Sequence, residues 1–283
     1  MRETFWTADP LDFLKAGKDF VLADNPADAK PGFDRGKKHA AYALSEGSAA
    51  LRDLQEKLFA AGTVGERKQV LLVLQAMDTA GKGGIVSHVI RAVDPNGVKY
   101  VAFKAPNPVE LSHDFLWRVA KQVPSAGEVG VFDRSHYEDV VIARVRALAP
   151  PEEIERRYDA INTFERGLVD TGTAIVKVML HISKDEQRKR LASRLAREDK
   201  HWKYNPSDVD ERMHWDEYQA AFQRMFERTS TDFAPWYVIP ANRKWYARLA
   251  VQHLLIDTLE GLQLSWPDVD YDIEEEKKRL EAS

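Results

Sequence analysis

The chain has no cysteine among its 283 residues. A disulfide framework and a thiolate metal site are therefore both excluded. That composition suits a reducing compartment, so a cytoplasmic location is expected. Its eight histidines are scattered, with no HExxH and no close histidine pair, so nothing in the pattern reads as a zinc site. Apolar runs are short: none approaches the ~18 residues of a membrane span. The opening residues, MRETFWTADP, carry no apolar signal core. No GxGxxG follows an apolar run, which leaves a Rossmann dinucleotide site unsupported. The formal net charge of −4 argues against a dedicated nucleic-acid binder, whose surface is basic. Internal repeats and low-complexity tracts are also missing.

What is present begins with residues 70–84, VLLVLQAMDTAGKGG. Five apolar residues run into a Gly-Lys-Gly-Gly turn, the outline of a strand, a tight turn and a helix start. Backbone N–H groups of such a turn and of the helix N-terminus converge on one spot, which attracts anions. Lys82 adds a full positive charge, and Ala80, Gly81, Gly83 and Gly84 supply the small residues of a phosphate cradle. The usual pattern is G-x-x-x-x-G-K-[ST]. Here Ala76 replaces the first Gly, and Gly83 replaces the Ser or Thr that contacts Mg²⁺. Asp78 lies inside the loop, where a carboxylate repels phosphates unless a cation sits between. It points to a metal ion held from within the loop, and it can also accept a proton. The plainer alternative is a buried strand ending in a Gly-rich turn.

A second signal is EVGVFDR, residues 128–134. A short apolar strand ends in Asp133-Arg134. In phosphate-loop proteins an Asp at the end of a neighbouring strand holds Mg²⁺, and Arg134 can neutralise a phosphoryl group as a planar fork. A helix N-cap is the plainer reading of Asp133. A third signal is KDEQRKRLASRLAREDKHWK, residues 184–203, with eight Lys or Arg against four acids. Arg190, Arg194 and Arg197 recur at helical spacing and share one face. A lone charge run reads as a solvated helix. This one follows the apolar stretch 173–182, the place where phosphoryl-transfer enzymes carry a lid that brings Arg to the transition state and excludes water.

The alternation of apolar runs and amphipathic stretches predicts strands near 69–75, 98–104, 129–132, 173–182 and 236–239. Helices are predicted near 38–61, 82–92, 110–121, 136–147, 152–169, 184–197, 208–227 and 244–261. Strands separated by helices imply βαβ units. The expected fold class is α/β: a three-layer α/β/α, P-loop kinase-like fold with a central parallel sheet of about five strands, helices on both faces and a helical lid. One domain over 1–283 is the simplest partition, with an irregular arm over 1–36, a basic lid over 184–206 and an acidic tail over 268–283. Across the end of the arm, Lys30, Arg35, Lys37 and Lys38 form a second basic patch, readable as a flexible arm or as part of a polyanion groove.

Three stretches together resemble the polyphosphate kinase 2 family. They are Met77-Asp78-Thr79-Ala80-Gly81-Lys82-Gly83-Gly84, Asp133-Arg134-Ser135-His136-Tyr137, and the basic stretch through Trp202-Lys203. Thr229-Ser230-Thr231 and Ala234-Pro235-Trp236 also fit. The resemblance covers roughly positions 35 to 255. It implies phosphoryl transfer between inorganic polyphosphate and nucleotides with Mg²⁺, with Asp78, Lys82, Asp133, Arg134, Arg190 and Arg194 carrying the chemistry. Asp78 and Asp133 are then the Mg²⁺ residues. Lys37 and Lys38 contribute to the polyphosphate groove, and His136, Tyr137, Glu138 and Lys203 to nucleotide binding. The stretch Ser135-His136-Tyr137-Glu138-Asp139-Val140 looks like the subclass that accepts both AMP and ADP. Adenine or guanine nucleotides are the expected acceptors, with no nucleic acid or membrane partner and a homodimer or homotetramer as the assembly. Two rival readings remain: an ATP-dependent nucleoside monophosphate kinase, and a non-catalytic phosphate or nucleotide sensor.

Overall fold

The computed structural model describes residues 5–283. After the short helix α1 (Leu11–Leu14) and the long α2 (Lys37–Thr63), strands and helices alternate: β1 (Gln69–Ala76), α3 (Lys82–His88), β2 (Val98–Ala102), the four-residue α4 (Pro108–Leu111) and α5 (Trp117–Ala120), then β3 (Val129–Asp133). There follow α6 (Glu138–Val145), α7 (Pro151–Asp170), β4 (Thr173–His181), α8 (Lys184–Leu195), α9 (Ser207–Met213), α10 (Trp215–Thr229), β5 (Trp236–Pro240), α11 (Lys244–Gly261) and α12 (Ile273–Glu281).

Successive strand residues point to opposite faces, and the interior positions of β1 are all buried. Both faces of the sheet are therefore covered, which is why these strands read as continuous apolar runs. The sheet order is β2-β3-β1-β4-β5, with every pairing parallel. The fold is an α/β three-layer arrangement of the P-loop kinase type. One helix group packs α2 and α3 against α11, and another packs α10 against α6 and α7. The approach of α2 to α11 is close: Gln252 Nε2 donates to Leu44 O at 2.9 Å and Ser48 Oγ at 3.1 Å. A Cβ at Gly47 would lie 2.2 Å from Gln252 Oε1, so a larger residue there requires the Gln252 side chain to shift.

The chain leaves β1 toward β3 and β2 on one side and toward β4 and β5 on the other. Strand order reverses at β1, so a crevice opens at the carboxyl ends of β1 and its neighbours. This places residues 77–84 and 133–138 side by side.

Three predicted helices are shorter or broken. The stretch 110–121 is two helices, because Asn107 caps α4 with a capping box and Asp114 starts a fresh turn by accepting from Leu116 N at 3.0 Å. The stretch 208–227 is interrupted at His214, where Arg146 from the end of α6 bonds both Glu211 and His214. The helix from Lys82 gives way after His88 to a single 3₁₀ turn. The N-terminal arm lacks long elements but is anchored: Leu14, Leu22 and Phe33 are buried, and Lys15 bridges antiparallel to Tyr237 on β5. Helix α12 in the acidic tail buries none of its residues. No described helix is long and apolar enough to cross a membrane.

Candidate active site

The loop between β1 and α3 holds two residues at positive φ, of which Thr79 is strained. Thr79 has φ 66° and Gly81 has φ 124°. A left-handed threonine costs free energy that only a well-held loop can offset, and such residues cluster at functional sites. Gly81 is the N-cap of α3, in a conformation a side chain would rarely adopt. A Cβ on Gly83 would meet no atom within 4 Å, so the space in front of the loop is open. Lys82 Nζ donates to Ala76 O at 3.4 Å, a long contact that leaves the ammonium available.

The end of β3 delivers Asp133 and Arg134 beside this loop. Arg134 is also left-handed, with φ 64°. Its backbone N–H donates to Leu74 O on β1 at 3.1 Å, and its guanidinium donates to Asp78 Oδ1 at 2.9 Å. Burial opposes the Arg134 charge, but Glu138, Asp78 and Asp133 outweigh it and hold the group above the ordinary arginine value. The second oxygen of Asp133 accepts from Tyr100 Oη at 3.3 Å.

These residues line a cavity of about 760 Å³. Its wall carries Lys82, Arg134, Arg194, Arg197, Lys200, Lys203, Lys244 and Arg248, against two acids, Asp78 and Asp133. Such a cavity, open at the end of a parallel sheet, selects a polyanion. It reaches His88, which burial, then Arg248 and Arg91, hold below its ordinary value. A smaller cavity of about 140 Å³ lies on the other side of the Asp78–Arg134 pair and includes Glu138, Asp208 and Glu211. Burial pushes Glu138 upward, opposed by Arg134 and Lys82.

No group of three or more His, Asp or Glu that could hold a metal occurs among the described residues. Two carboxylates on one cavity wall match the hard oxygen donors a Mg²⁺-like ion uses, since that ion keeps waters and takes its remaining ligands from phosphates. They do not match a zinc cage.

Most predicted residues converge on the large cavity: Asp78, Ala80, Gly81, Lys82, Gly83, Gly84, Asp133, Arg134, Arg194 and Lys203 all line it. Glu138 lines the small one. Lys37 lines an adjoining hollow of about 430 Å³ with Lys244 and Arg248, whereas Lys38 is exposed and lines none of the three.

Arg190 needs correction. It is 7% exposed and is not among the residues that line the cavity. Nη1 donates to Thr79 O at 3.1 Å and Ala80 O at 2.6 Å, Nη2 to Ala241 O at 2.6 Å and Asn242 O at 3.1 Å, and Nε to Glu186 at 2.7 Å. With every fork nitrogen engaged, it braces the loop and cannot also wrap a phosphoryl group. His136 and Tyr137 are likewise misplaced by the sequence reading. Both are fully buried and bond Glu165, so neither reaches a nucleotide.

Sequence reasoning missed Lys244 and Arg248. Their i, i+4 spacing at the start of the helix after the last strand was the available signal. It also missed Tyr100, an exposed position on edge strand β2 that no motif marks.

A model of the polyphosphate kinase 2 family matches residues 36–265. Among curated proteins, the chain is 48% identical over 248 residues to an AMP/ADP-polyphosphate phosphotransferase of Meiothermus ruber, covering 88% of this chain and 91% of that protein. It is 39% identical over 264 residues to an ADP-polyphosphate phosphotransferase of Rhodopseudomonas palustris, covering 89% and 90%. Among solved structures, a polyphosphate kinase 2 from Arthrobacter aurescens superposes with a TM-score of 0.97 at 56% identity, over 98% of each chain.

Proposed function

Because the chain belongs to the polyphosphate kinase 2 family, we propose that it moves phosphoryl groups from inorganic polyphosphate to AMP and to ADP. The observation that carries this reading is the cavity with eight Lys or Arg around a strained loop and two carboxylates. A nucleoside monophosphate kinase has less need for such a long cationic wall than an enzyme whose donor is a chain of phosphates. Acceptance of both nucleotides is supported by the stretch Ser135-His136-Tyr137-Glu138 and by the name of the Meiothermus relative.

The acceptor oxygen is a terminal phosphate oxygen of the nucleotide, already largely ionised at neutral pH. It forms a bond to the terminal phosphorus of the donor as the bridging P–O bond breaks, leaving polyphosphate one unit shorter. No protein nucleophile is needed, and catalysis is positioning and charge neutralisation. Lys82 and the amides of residues 80–84 cradle the transferring group. Arg134 lies over its equatorial oxygens, and Arg194 approaches from α8. Asp78 and Asp133 would hold Mg²⁺, which when bound supplies charge neutralisation between donor and acceptor phosphates. An adenine or guanine base and an assembly of two or four copies belong to the same reading.

The test is chromatography of nucleotides after incubating the protein with Mg²⁺, long-chain polyphosphate and AMP or ADP, with ATP as the control donor. ADP and ATP formed from AMP plus polyphosphate are expected. Product only from AMP plus ATP would replace the reading with a nucleotide kinase. Asp78→Asn and Lys82→Ala should each lower kcat about 100-fold or more in a folded protein; a change confined to KM would limit either residue to ground-state binding.

A further inference from the structure

The turn after β3 faces two ways. Asp133, Arg134 and Glu138 line the two cavities, whereas Ser135, His136 and Tyr137 between them are fully buried. The buried three enter a closed polar cluster beneath the site. Glu165 of α7 accepts from Tyr137 Oη at 2.6 Å and Lys177 Nζ at 2.7 Å, and contacts His136 Nε2 at 3.2 Å. Lys177 of β4 also donates to Tyr137 Oη at 2.9 Å and to Thr229 O at 2.7 Å. Thr229 Oγ1 accepts from Trp236 Nε1 at 2.9 Å, and Ser135 Oγ accepts from Gln75 Nε2 at 3.1 Å and Tyr137 N at 3.2 Å. Lys177 and Glu165 are 0% and 1% exposed. Thr229 and Trp236 belong to the two sequence runs for which phosphoryl transfer itself has no use.

A buried ion pair is weak evidence for stability, because apolar groups of the same volume often do as well. It does fix a geometry, since each oxygen of Glu165 is assigned to a named donor. The geometry here belongs to a turn whose second residue sits at φ 64°. A non-glycine residue holds that conformation only where its surroundings over-determine it. One side of that constraint is the bond from Arg134 N to Leu74 O. The other is the cluster, which grips the three residues that follow.

We infer that Lys177 and Glu165 are positioning residues for the reaction: through Tyr137 and His136 they hold the 133–138 turn so that Arg134 and Asp133 face the transferring phosphoryl group. Neither touches substrate. A chain that lacks the pair still folds and still binds the polyanion through the bases of the lid and α11, but it presents Arg134 loosely. Small misplacements of such a group reduce turnover by about 100-fold. The inference rests on the role given above to Arg134, and Arg134→Lys alone tests that role.

The decisive variant is the double replacement Lys177→Met with Glu165→Leu, which removes both charges at once. Expected are a lowered Tm, because Tyr137 Oη, His136 Nε2 and Thr229 O lose buried partners, a Kd for long-chain polyphosphate within about twofold of the parent, and kcat lowered about tenfold or more in the folded protein. Turnover within about twofold of the parent in that folded double variant overturns the inference. If the double variant does not fold, Glu165→Gln, which keeps the shape, carries the same readouts. A double-mutant cycle with Arg134→Lys then separates anchoring from general loosening. The cluster replacement should cost much less in the Arg134→Lys background than in the parent. Equal losses in the two backgrounds mean that it does not act through Arg134 and overturn the inference, whereas a harmless Arg134→Lys overturns the catalytic role instead.

Discussion

The two halves of the basic stretch 184–203 carry four bases each, but the first sends one of them, Arg190, into the protein and leaves Lys184, Arg188 and Lys189 exposed, whereas the second turns all four toward the cavity. In the first half Gln187, Arg190 and Leu191 are buried, and Arg190 spends its fork on four backbone carbonyls. Gln187 adds a bond to Asp78 O at 3.2 Å. In the second half Arg194, Arg197, Lys200 and Lys203 line the cavity, and Arg197 is 56% exposed. The difference is made by what lies within reach. Carbonyls of the strained loop and of the turn after β5 converge on Arg190, and an arginine fork satisfies several at once. One turn of helix further on a single carbonyl lies within reach, and Arg194 donates to Lys203 O and to Asp208, each at 3.1 Å. A row of bases on one helix face therefore defines a direction, and the neighbouring backbone decides which of them build the site and which meet the substrate.

That contrast is sharpest at Arg190. Replacing it with Ala removes donors from Thr79 O and Ala80 O, and the loop loses its brace. We expect kcat to fall by about 100-fold or more with a lowered Tm, while polyphosphate Kd changes by no more than about twofold. Arg190→Lys should recover little, because a single ammonium cannot bridge the two carbonyl pairs. Steady-state kinetics beside direct binding measurements check this. A loss confined to affinity would place Arg190 with the substrate-facing bases and erase the distinction.

The converse experiment is the pair Arg197→Ala and Lys200→Ala. Both side chains are paired with Asp199, but exposed pairs of this kind contribute little. Their role is a field over the cavity. Each replacement should raise the KM for polyphosphate about threefold to tenfold and leave kcat within about twofold. The effect should shrink as salt rises from about 50 to about 200 mM, because these charges are screened. A kcat loss as large as that of Arg190→Ala would overturn the assignment of the second half to binding.

The fold was largely legible because its signals are local. Buried parallel strands read as apolar runs, so β1, β3, β4 and β5 lie within two residues of their predicted bounds. The strand, turn and helix start over residues 69–88 were legible because the apolar run, the glycines and Lys82 follow one another closely. The roles of Arg190, His136 and Tyr137 were not. Arg190 shares a helix face with Arg194, and only the chain folded back from residues 79–80 and 241–242 tells them apart. His136 and Tyr137 follow Asp133-Arg134 with one residue between, yet their partners Glu165 and Lys177 come from α7 and β4. Contacts between residues dozens of positions apart leave no periodic trace. Lys244 and Arg248 fall between these cases: their spacing was visible, but not that α11 starts at the rim of the cavity.

The smallest expected effect concerns pH and the cations around His88. His88 ends α3, lines the cavity, and lies below its ordinary value of 6.5 because of burial first and then Arg248 and Arg91. A bound polyanion offsets those cations and favours the charged imidazole, so the bound value lies above the free one. Between the two values the complex holds more protons than its separated components. Affinity therefore rises as pH falls through that window and levels off below the free value. Polyphosphate contributes its own titration, common to every variant, so the comparison is between the parent and His88→Gln. From about pH 7.5 down to about pH 6 the parent should gain about threefold more affinity than His88→Gln, measured as Kd at constant ionic strength. Parallel pH profiles would mean that the polyanion leaves His88 outside its field, confining the substrate-facing half of the contrast to the lid and α11.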